Sequence, residues 1–311
     1  MTPLFSITMP AYKAKYLRES IDSVLAQTYE DFELIILNDA SPEDVEGIVC
    51  SYSDKRIKYH KNETNVGAVN LVDNWNKCLS LVQGEWVICM GDDDKLLPDC
   101  LEQYARMIEK YPTVDLFHAR TFRIDGDGMT IGVSNGHAEH EGVYSFMLHR
   151  FNNDIQFIGD FCYRATHLRE VGGYYKMPLA WGTDDITAYL AAAENGVVNI
   201  STPTFCYRSH TATISLSGMT ETKIQATLDL HDWYKGFLER QPPSDTVEEM
   251  SMRTIQERLP SLITKRKALL IAPELAQSWT RLFRWFALRR KYNLQVSVFI
   301  LAAYYRRLYK H

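Results

Sequence analysis

Apolar positions in the first third of the chain gather into short runs, separated by longer stretches with helical spacing. Residues 4–9, 32–37 and 86–90 read as buried strands because apolar residues follow one another rather than alternate, and residues 57–60 read as a shorter one. Between them Leu17, Ile21, Val24 and Leu25 recur at helical spacing through Gln27, and residues 71–82 form a second such stretch. Pro10-Ala11-Tyr12 ends the first strand. Asn38-Asp39-Ala40-Ser41-Pro42 closes the second, with Ser41 placed to cap a helix whose first position is Pro42. Asn65-Val66-Gly67 is a turn. Strands alternating with helices predict βαβ units and a mostly parallel sheet. Beyond Tyr111 the alternation loosens: residues 114–123 are strand-like, Asp125-Gly126-Asp127-Gly128 is a hairpin turn, and Glu170-Val171-Gly172-Gly173-Tyr174 marks a helix end. A helix over 186–194 and strands over 197–200 and 205–208 complete a mixed-sheet extension. Residues 220–240 and the remainder to His311 read as helical, divided by the linker Gln241-Pro242-Pro243-Ser244.

The fourth strand ends abruptly. Gly84-Glu85-Trp86-Val87-Ile88-Cys89-Met90 runs into Gly91-Asp92-Asp93-Asp94, and carboxylates about 4 Å apart repel by roughly 4 kcal/mol at an effective dielectric near 20. A divalent cation removes that penalty. Oxygen-only ligands suit Mg²⁺ or Mn²⁺, which bridge protein carboxylates to phosphates. The alternative is a solvated acidic turn ahead of the helix that Pro98 opens, with Asp99 in its first turn. In open α/β sheets ligands bind beyond the carboxyl ends of the strands. Tyr12, Asp39, Asn65 and the three aspartates all fall there, so four loops converge on one crevice.

With 311 residues, 46% of them hydrophobic, the chain can bury a core for one large domain and an appendage. A net charge of −5 conceals a division, since eight Lys or Arg and no acid follow Glu274. An acidic body with a basic tail argues against nucleic acid as the main partner. The six cysteines show no CxxC spacing and read as core thiols in a reducing compartment; no zinc site is indicated. Met1 leads into the first strand without a charged n-region and apolar h-region, so a cytoplasmic location is expected. The uncharged run over 292–305 is shorter than the roughly 20 residues of a spanning helix. Over 279–291 a helical wheel gathers Trp279, Leu282, Phe283 and Phe286 on one side, joined by Arg290, with Arg281, Arg284 and Lys291 away from it. Such a helix can lie at the inner face of the cell membrane. Packing on the catalytic domain, or on a second copy in a homo-oligomer, is the alternative.

Taken in order, the motifs resemble the family 2 glycosyltransferases, which are inverting, nucleotide-sugar-dependent enzymes with the GT-A fold. The resemblance spans about residues 3–215. It rests on Ser6-Ile7-Thr8-Met9-Pro10-Ala11-Tyr12, then Ser20-Ile21-Asp22-Ser23-Val24-Leu25-Ala26-Gln27-Thr28-Tyr29, then Phe32-Glu33-Leu34-Ile35-Ile36-Leu37-Asn38-Asp39-Ala40-Ser41. Asn65-Val66-Gly67, Gly84-Glu85-Trp86 and the aspartate cluster follow. Each piece alone is weak, and the ordered set is specific. Asn74-Trp75-Asn76 further resembles a branch common among bacterial surface-polysaccharide enzymes. The resemblance implies an α/β fold with a Rossmann-like mixed sheet flanked by helices. Residues 1–218 would be the catalytic domain, with a nucleotide-binding half to about 111 and an acceptor half over 112–218; residues 219–311 would be a helical extension.

Carried across, Pro10, Tyr12 and Asp39 match positions that hold the nucleotide's base and ribose, and Asn65 and Gly67 match a nucleotide-site turn. The family's metal motif usually reads Asp-x-Asp-Asp, whereas Gly91 stands here in place of the first Asp. Asp93 is then the expected metal ligand, with Asp92 facing the ribose or metal and Asp94 assisting or capping. Trp181-Gly182-Thr183-Asp184-Asp185 resembles the acidic pair that supplies the catalytic base, and Asp185 is the expected base with Asp184 beside it. A helix cap with an acidic first turn is the plain reading of the same residues. Tyr207-Arg208-Ser209-His210, followed by Ser215, resembles a segment whose His approaches the metal or diphosphate. Arg164 matches a basic position near the acceptor or diphosphate. The implied partners are a nucleotide-sugar donor, UDP-sugar foremost, and a glycan or lipid-linked glycan acceptor of polysaccharide, capsule or lipopolysaccharide synthesis. A sugar-nucleotide-forming nucleotidylyltransferase would carry a Gly-rich basic loop after the first strand, which Met9-Pro10-Ala11-Tyr12-Lys13 lacks. A catalytically inactive nucleotide- or carbohydrate-binding protein would have no use for both acidic clusters.

Overall fold

The computed structural model describes residues 3–209 and 219–309. The first part alternates β1 (Phe5–Ala11), α1 (Leu17–Leu25), β2 (Phe32–Asn38), α2 (Val45–Cys50), β3 (Ile57–Lys61), α3 (Leu71–Leu81) and β4 (Trp86–Cys89). These four strands run parallel in the order β3-β2-β1-β4. The continuous apolar runs have their cause in burial on both faces: every residue of β2 and β4 is buried. One local expectation is corrected. Helix α2 is capped by Asp44, whose carboxylate accepts from the Gly47 amide at 2.9 Å, whereas the Ser41 hydroxyl donates to the Tyr12 carbonyl at 2.6 Å and so ties two strand-end loops together.

After β5 (Lys95–Leu96) and α4 (Cys100–Lys110) come β6 (Leu116–Ile124), β7 (Thr130–Val133), β8 (His140–Glu141) and α5 (Val143–Phe151). Then follow β9 (Phe161–Arg164), α6 (Ala165–Glu170), α7 (Thr183–Ala191) and β10 (Val197–Arg208). Strand β9 is inserted antiparallel between β4 and β6, and β10 lies parallel to β6. Two reversals restore the direction, so β6 and β10 point the same way as β4 and the carboxyl ends of all these strands open on one side. The two strands expected over 197–200 and 205–208 are one, with its register on β6 shifting on either side of Pro203. Proline has no amide to donate to a ladder, and the chain passes it with an irregularity instead of a break.

Helices α8 (Thr220–Arg240), α9 (Thr246–Gln277), α10 (Arg281–Ala287) and α11 (Val296–Tyr305) complete the chain. One core lies under α1 and α4, with Ile7, Leu34, Trp86 and Phe117 at its centre. The other lies between the sheet and α3, α5, α7, α8 and α9, and includes Trp75, Val87, Tyr163, Tyr189, Leu230, Tyr234 and Ile255. Helix α8 and the first half of α9 therefore share a core with the sheet. Glu248 of α9 also caps α5, accepting from the Tyr144 amide at 2.7 Å and the Ser145 amide at 2.9 Å. A third cluster, with Ile271, Leu275, Trp285, Tyr292 and Val298, fastens α10 and α11 to the far end of α9. Five of the six cysteines are buried thiols, as expected, and Cys50 is exposed. Among the described residues no helix is long and apolar enough to cross a membrane.

Candidate active site

The strand-end loops expected to converge do so, and side chains lock them together. Beyond β2, the Asp39 carboxylate is buried and accepts from Asn62 Nδ2 at 2.7 Å, the Val66 amide at 3.1 Å and Asn65 Nδ2 at 3.0 Å. Asp39, Asn65 and Gly67 thus form one turn, and Gly67, at φ +76°, holds a backbone conformation that a side chain would strain. Beyond β1, Pro10 is half-buried in the strand and Tyr12 is 43% exposed at its end, a ring open to the crevice. Asn62, which no motif flagged, is the centre of this network: it also donates to Asn74 and accepts from Lys77 Nζ at 2.6 Å.

Beyond β4 the three aspartates take three directions. Asp92 Oδ2 accepts from the amides of both Tyr12 and Lys13 at 2.7 Å, which binds the acidic loop to the end of β1. The residue expected to face the ribose is in the first place the anchor of the Tyr12 turn. Burial and the Asp93 charge push its carboxyl up to about 6, against the pull of those two amides. Asp94 is buried, with Oδ1 accepting from the Arg208 amide at 2.9 Å and Oδ2 from the Gly91 amide at 3.3 Å. These two contacts serve the capping role expected of it. Burial first, then Asp93, raise its pKa well above the ordinary carboxylate range. Asp93 is half-buried between them. A Cβ at position 91 would lie 2.8 Å from Asp93 Oδ1 and 3.0 Å from Asp94 Oδ2, so glycine at this position leaves a cradle of carboxylate oxygens whose donor set fits a hard divalent cation.

Arg208 holds this loop from behind. Its side chain is almost wholly buried; Nε donates to the Asp93 carbonyl at 2.7 Å, Nη2 to Glu19 at 2.7 Å, and the guanidinium lies 4.3 Å from the Tyr16 ring centroid. The next ring along, Tyr207, stacks on Phe157 at 3.8 Å. Burial, then the charges of Asp94, Asp93 and Asp184, push the Tyr207 hydroxyl up to about 12. His210 lies outside the described residues.

The acidic pair divides. Asp185, the expected base, is fully buried, and its carboxylate faces Arg150 Nε at 2.7 Å and Arg266 Nη2 at 3.4 Å. A fully buried carboxylate enclosed by two guanidiniums cannot reach an acceptor, so Asp185 is corrected from base to structural counter-ion. Asp184 is only half-buried. Burial, then the Asp185 charge, raise its pKa to about 7 against the opposing pull of Arg150. Arg164 is a second correction. It pairs with Trp86, at the amino end of β4 and away from the aspartates. Its guanidinium is taken by Asp115 at 2.7 Å, Glu85 at 2.6 Å and the Pro112 carbonyl at 2.8 Å.

The model of the family described as glycosyl transferase family 2 matches residues 6–167 of the chain. The putative colanic acid biosynthesis glycosyl transferase WcaA of Escherichia coli is 32% identical over 128 residues, covering 40% of this chain and 45% of that protein. The chain spans less than half the length of the curated relatives it matches. Residues 1–349 of Staphylococcus aureus TarS, solved with UDP-GlcNAc, superpose with a TM-score of 0.59 at 19% identity, covering 86% of each chain. The mannosyltransferase PcManGT of Pyrobaculum calidifontis, solved with GDP-Man and Mn²⁺, superposes with a TM-score of 0.56 at 17% identity, over 100% of this chain and 89% of that one.

Proposed function

The chain belongs to glycosyl transferase family 2, and from that premise we propose that it moves one sugar from a nucleotide-diphosphate sugar, UDP-sugar foremost, to a glycan hydroxyl, with inversion at the anomeric carbon. Its sheet, flanking helices and C-terminal helices are those of the GT-A fold. One observation carries the reading: the Tyr12 turn, the Asp39–Asn65 turn and the Asp93 cradle are hydrogen-bonded into a single crevice. In this scheme Tyr12 stacks on the base, and Asp39, braced by Asn62 and Asn65, accepts from the base or ribose. Asp93 holds Mn²⁺ or Mg²⁺. Bound there, the cation supplies positive charge against the negative charge developing on the leaving diphosphate. Asp184 takes the acceptor hydroxyl's proton as its oxygen attacks the anomeric carbon, and a carboxyl titrating near neutrality suits that exchange. Residues 1–111 would hold the nucleotide and residues 112–218 the acceptor.

The names of relatives and neighbours support the class of each substrate. Colanic acid synthesis, in the name of the Escherichia coli relative, supports a bacterial surface polysaccharide as acceptor. UDP-GlcNAc on TarS, and GDP-Man with Mn²⁺ on PcManGT, support a sugar nucleotide and a divalent cation. The test is nucleotide release from a panel of UDP-, GDP-, dTDP- and CMP-sugars with Mn²⁺ or Mg²⁺. Turnover with one donor, abolished by Asp93→Asn and by EDTA, is the expected outcome. Activity that survives both treatments overturns the metal assignment, and no release from any donor leaves the inactive binding protein as the answer.

The reading extends to a membrane-borne acceptor. Val296, Ile300, Tyr304 and Leu308 recur every four residues and are 63–71% exposed, with Phe283 and Phe286 also open to solvent. Trp285, fully buried, anchors α10 to the protein with Leu282 packed beside it, while Trp279 is 47% exposed. An apolar stripe carrying Arg290 and Arg307 suits an anionic lipid surface.

A further inference from the structure

Behind the acceptor wall, three side chains from different segments point their ligand atoms at one place. His137 follows β7, His149 stands in the last turn of α5, and Asp154 follows that helix; one ligand atom from each lies within 4.8 Å of the others. His137 Nε2 is 3.7 Å and His149 Nδ1 4.0 Å from the same oxygen, Asp154 Oδ2. Both separations exceed a hydrogen bond. They approach the spacing of about 3.3 Å that ligand atoms adopt around an ion with bonds of about 2.0–2.1 Å. Two of the three ligands have an outer partner on the remote side: Glu141 Oε2 lies 2.9 Å from His149 Nε2, and the Asn135 amide donates to Asp154 Oδ1. A carboxylate on the far nitrogen of an imidazole is the arrangement that fixes tautomer and ring orientation at metal centres. The His137 and His149 rings are themselves only 3.8 Å apart. A recess of ≈ 170 Å³, lined by Arg123, Asn135, Asp154 and Phe157 among others, gives solvent access beside them.

We propose that His137, His149 and Asp154 form a metal site distinct from the aspartate cradle, taking a borderline-soft divalent ion, Zn²⁺ foremost, with solvent in the fourth position. Two imidazoles and one carboxylate select Zn²⁺ over Mg²⁺ or Mn²⁺, which prefer all-oxygen sets. The cysteines, which pointed away from zinc, take no part. The site has a structural consequence, because Arg150 donates to the Asp154 carbonyl at 2.8 Å and also faces Asp185, while Phe157, three residues on, stacks on Tyr207. An ion on Asp154 braces the segment that supports both the acidic pair and the Tyr207 wall.

The experiment uses the full chain, stripped with chelator and desalted, then titrated with Zn²⁺ against a chromophoric chelator and with Co²⁺ by visible absorption. One equivalent is expected in the wild type and in Asp93→Asn, with a rise in Tm. His137→Gln and Asp154→Asn should lose it while keeping the far-UV circular dichroism of the wild type. Glu141→Gln, which leaves every ligand in place, should weaken Zn²⁺ by about 10–100-fold. Absence of binding in the wild type, or an equivalent retained in both ligand variants, overturns the proposal. Loss in Asp93→Asn alone would assign the ion to the donor site and overturn it equally. None of these readings requires a functioning transferase, so the proposal stands or falls separately from the donor reaction.

Discussion

Asp184 and Asp185 are neighbours in sequence and opposites in environment, and the difference decides which one can do chemistry. Asp185→Asn leaves Arg150 and Arg266 facing a neutral amide in a buried place, and breaking such an arrangement costs about 3–5 kcal/mol; urea denaturation should show it. Asp184→Asn should lower kcat by about 10²–10⁴-fold, as the loss of a general base does, with nucleotide affinity unchanged. If both variants keep turnover, the base lies elsewhere. The pH dependence follows from the raised pKa, about 7, of Asp184. Its unfolded value is near 3.9, so its contribution to stability is fully present below about pH 4 and is lost as pH rises through about 7. Turnover, which needs the anion, should rise over the upper part of the same window, and the Asn variant should gain in Tm relative to wild type above pH 7. Arg208 offers a third test. Lys at 208 cannot reach the Asp93 carbonyl and Glu19 with one planar fork, so Arg208→Lys should lower stability by about 1.5–3 kcal/mol, the range for hydrogen bonds to charged groups, and weaken donor binding together with it. An unchanged Tm would mean that the loop stands without it.

Among the elements, legibility follows burial pattern and range of contact. Strands β1, β2 and β4 were readable because burial on both faces leaves an unbroken apolar run, and the residues that end them were readable as a site because parallel strands deliver their loops to one edge. Strand β9, four residues long between β4 and β6, gave no such signal, and β5 and β8 have two residues each. The role of Asp185 was hidden for a different reason: its partners stand on α5 and α9, and nothing local announces a pairing across that distance. Arg208 is hidden for the same reason, since its partners Glu19 and Asp93 lie far back in the chain. Helix α5 supplies a prediction of its own kind. Its N-terminus is capped by Glu248 from α9, so Glu248→Ala strands two buried amides at a cost of about 1.5–3 kcal/mol. Hydrogen exchange should quicken in α5 as well as around residue 248, and an effect confined to α9 would contradict the cross-chain cap.

For the whole molecule, the C-terminal helices serve two purposes at once. Removing residues 219–311 would take Leu230, Tyr234 and Phe237 out of a core shared with the sheet and bare Tyr144, Phe151 and Tyr189, which pack against them, and each large side chain so exposed forfeits about 1.5–3 kcal/mol. Truncation is therefore a poor probe of membrane contact. Substitutions on the open stripe are better, since Ile300→Asp and Leu308→Glu change residues that are each 65% exposed. The double variant should keep the wild-type Tm and lose sedimentation with anionic vesicles, while neither protein binds neutral ones. Equal sedimentation of both proteins would show that the stripe faces something other than lipid. Part of the tail's positive charge is already met within the protein, because Glu221 and Glu274 engage Arg284, Lys291 and Arg281.

The amide that holds Asp94 belongs to Arg208, 114 residues further along the chain. In order of synthesis, then, the aspartate loop is completed long after its own residues are made. A nascent chain that has emerged as far as α4 already carries Tyr12, Asp39, Asn65 and all three aspartates, yet the aspartate loop waits for β10 to close beside it. Contacts of such range cost loop-closure entropy and form late, while N-terminal elements condense first. Ribosome-bound chains arrested after α7 should accordingly protect β1 and β2 and show no affinity for a sugar nucleotide, acquiring it only when β10 has left the exit tunnel.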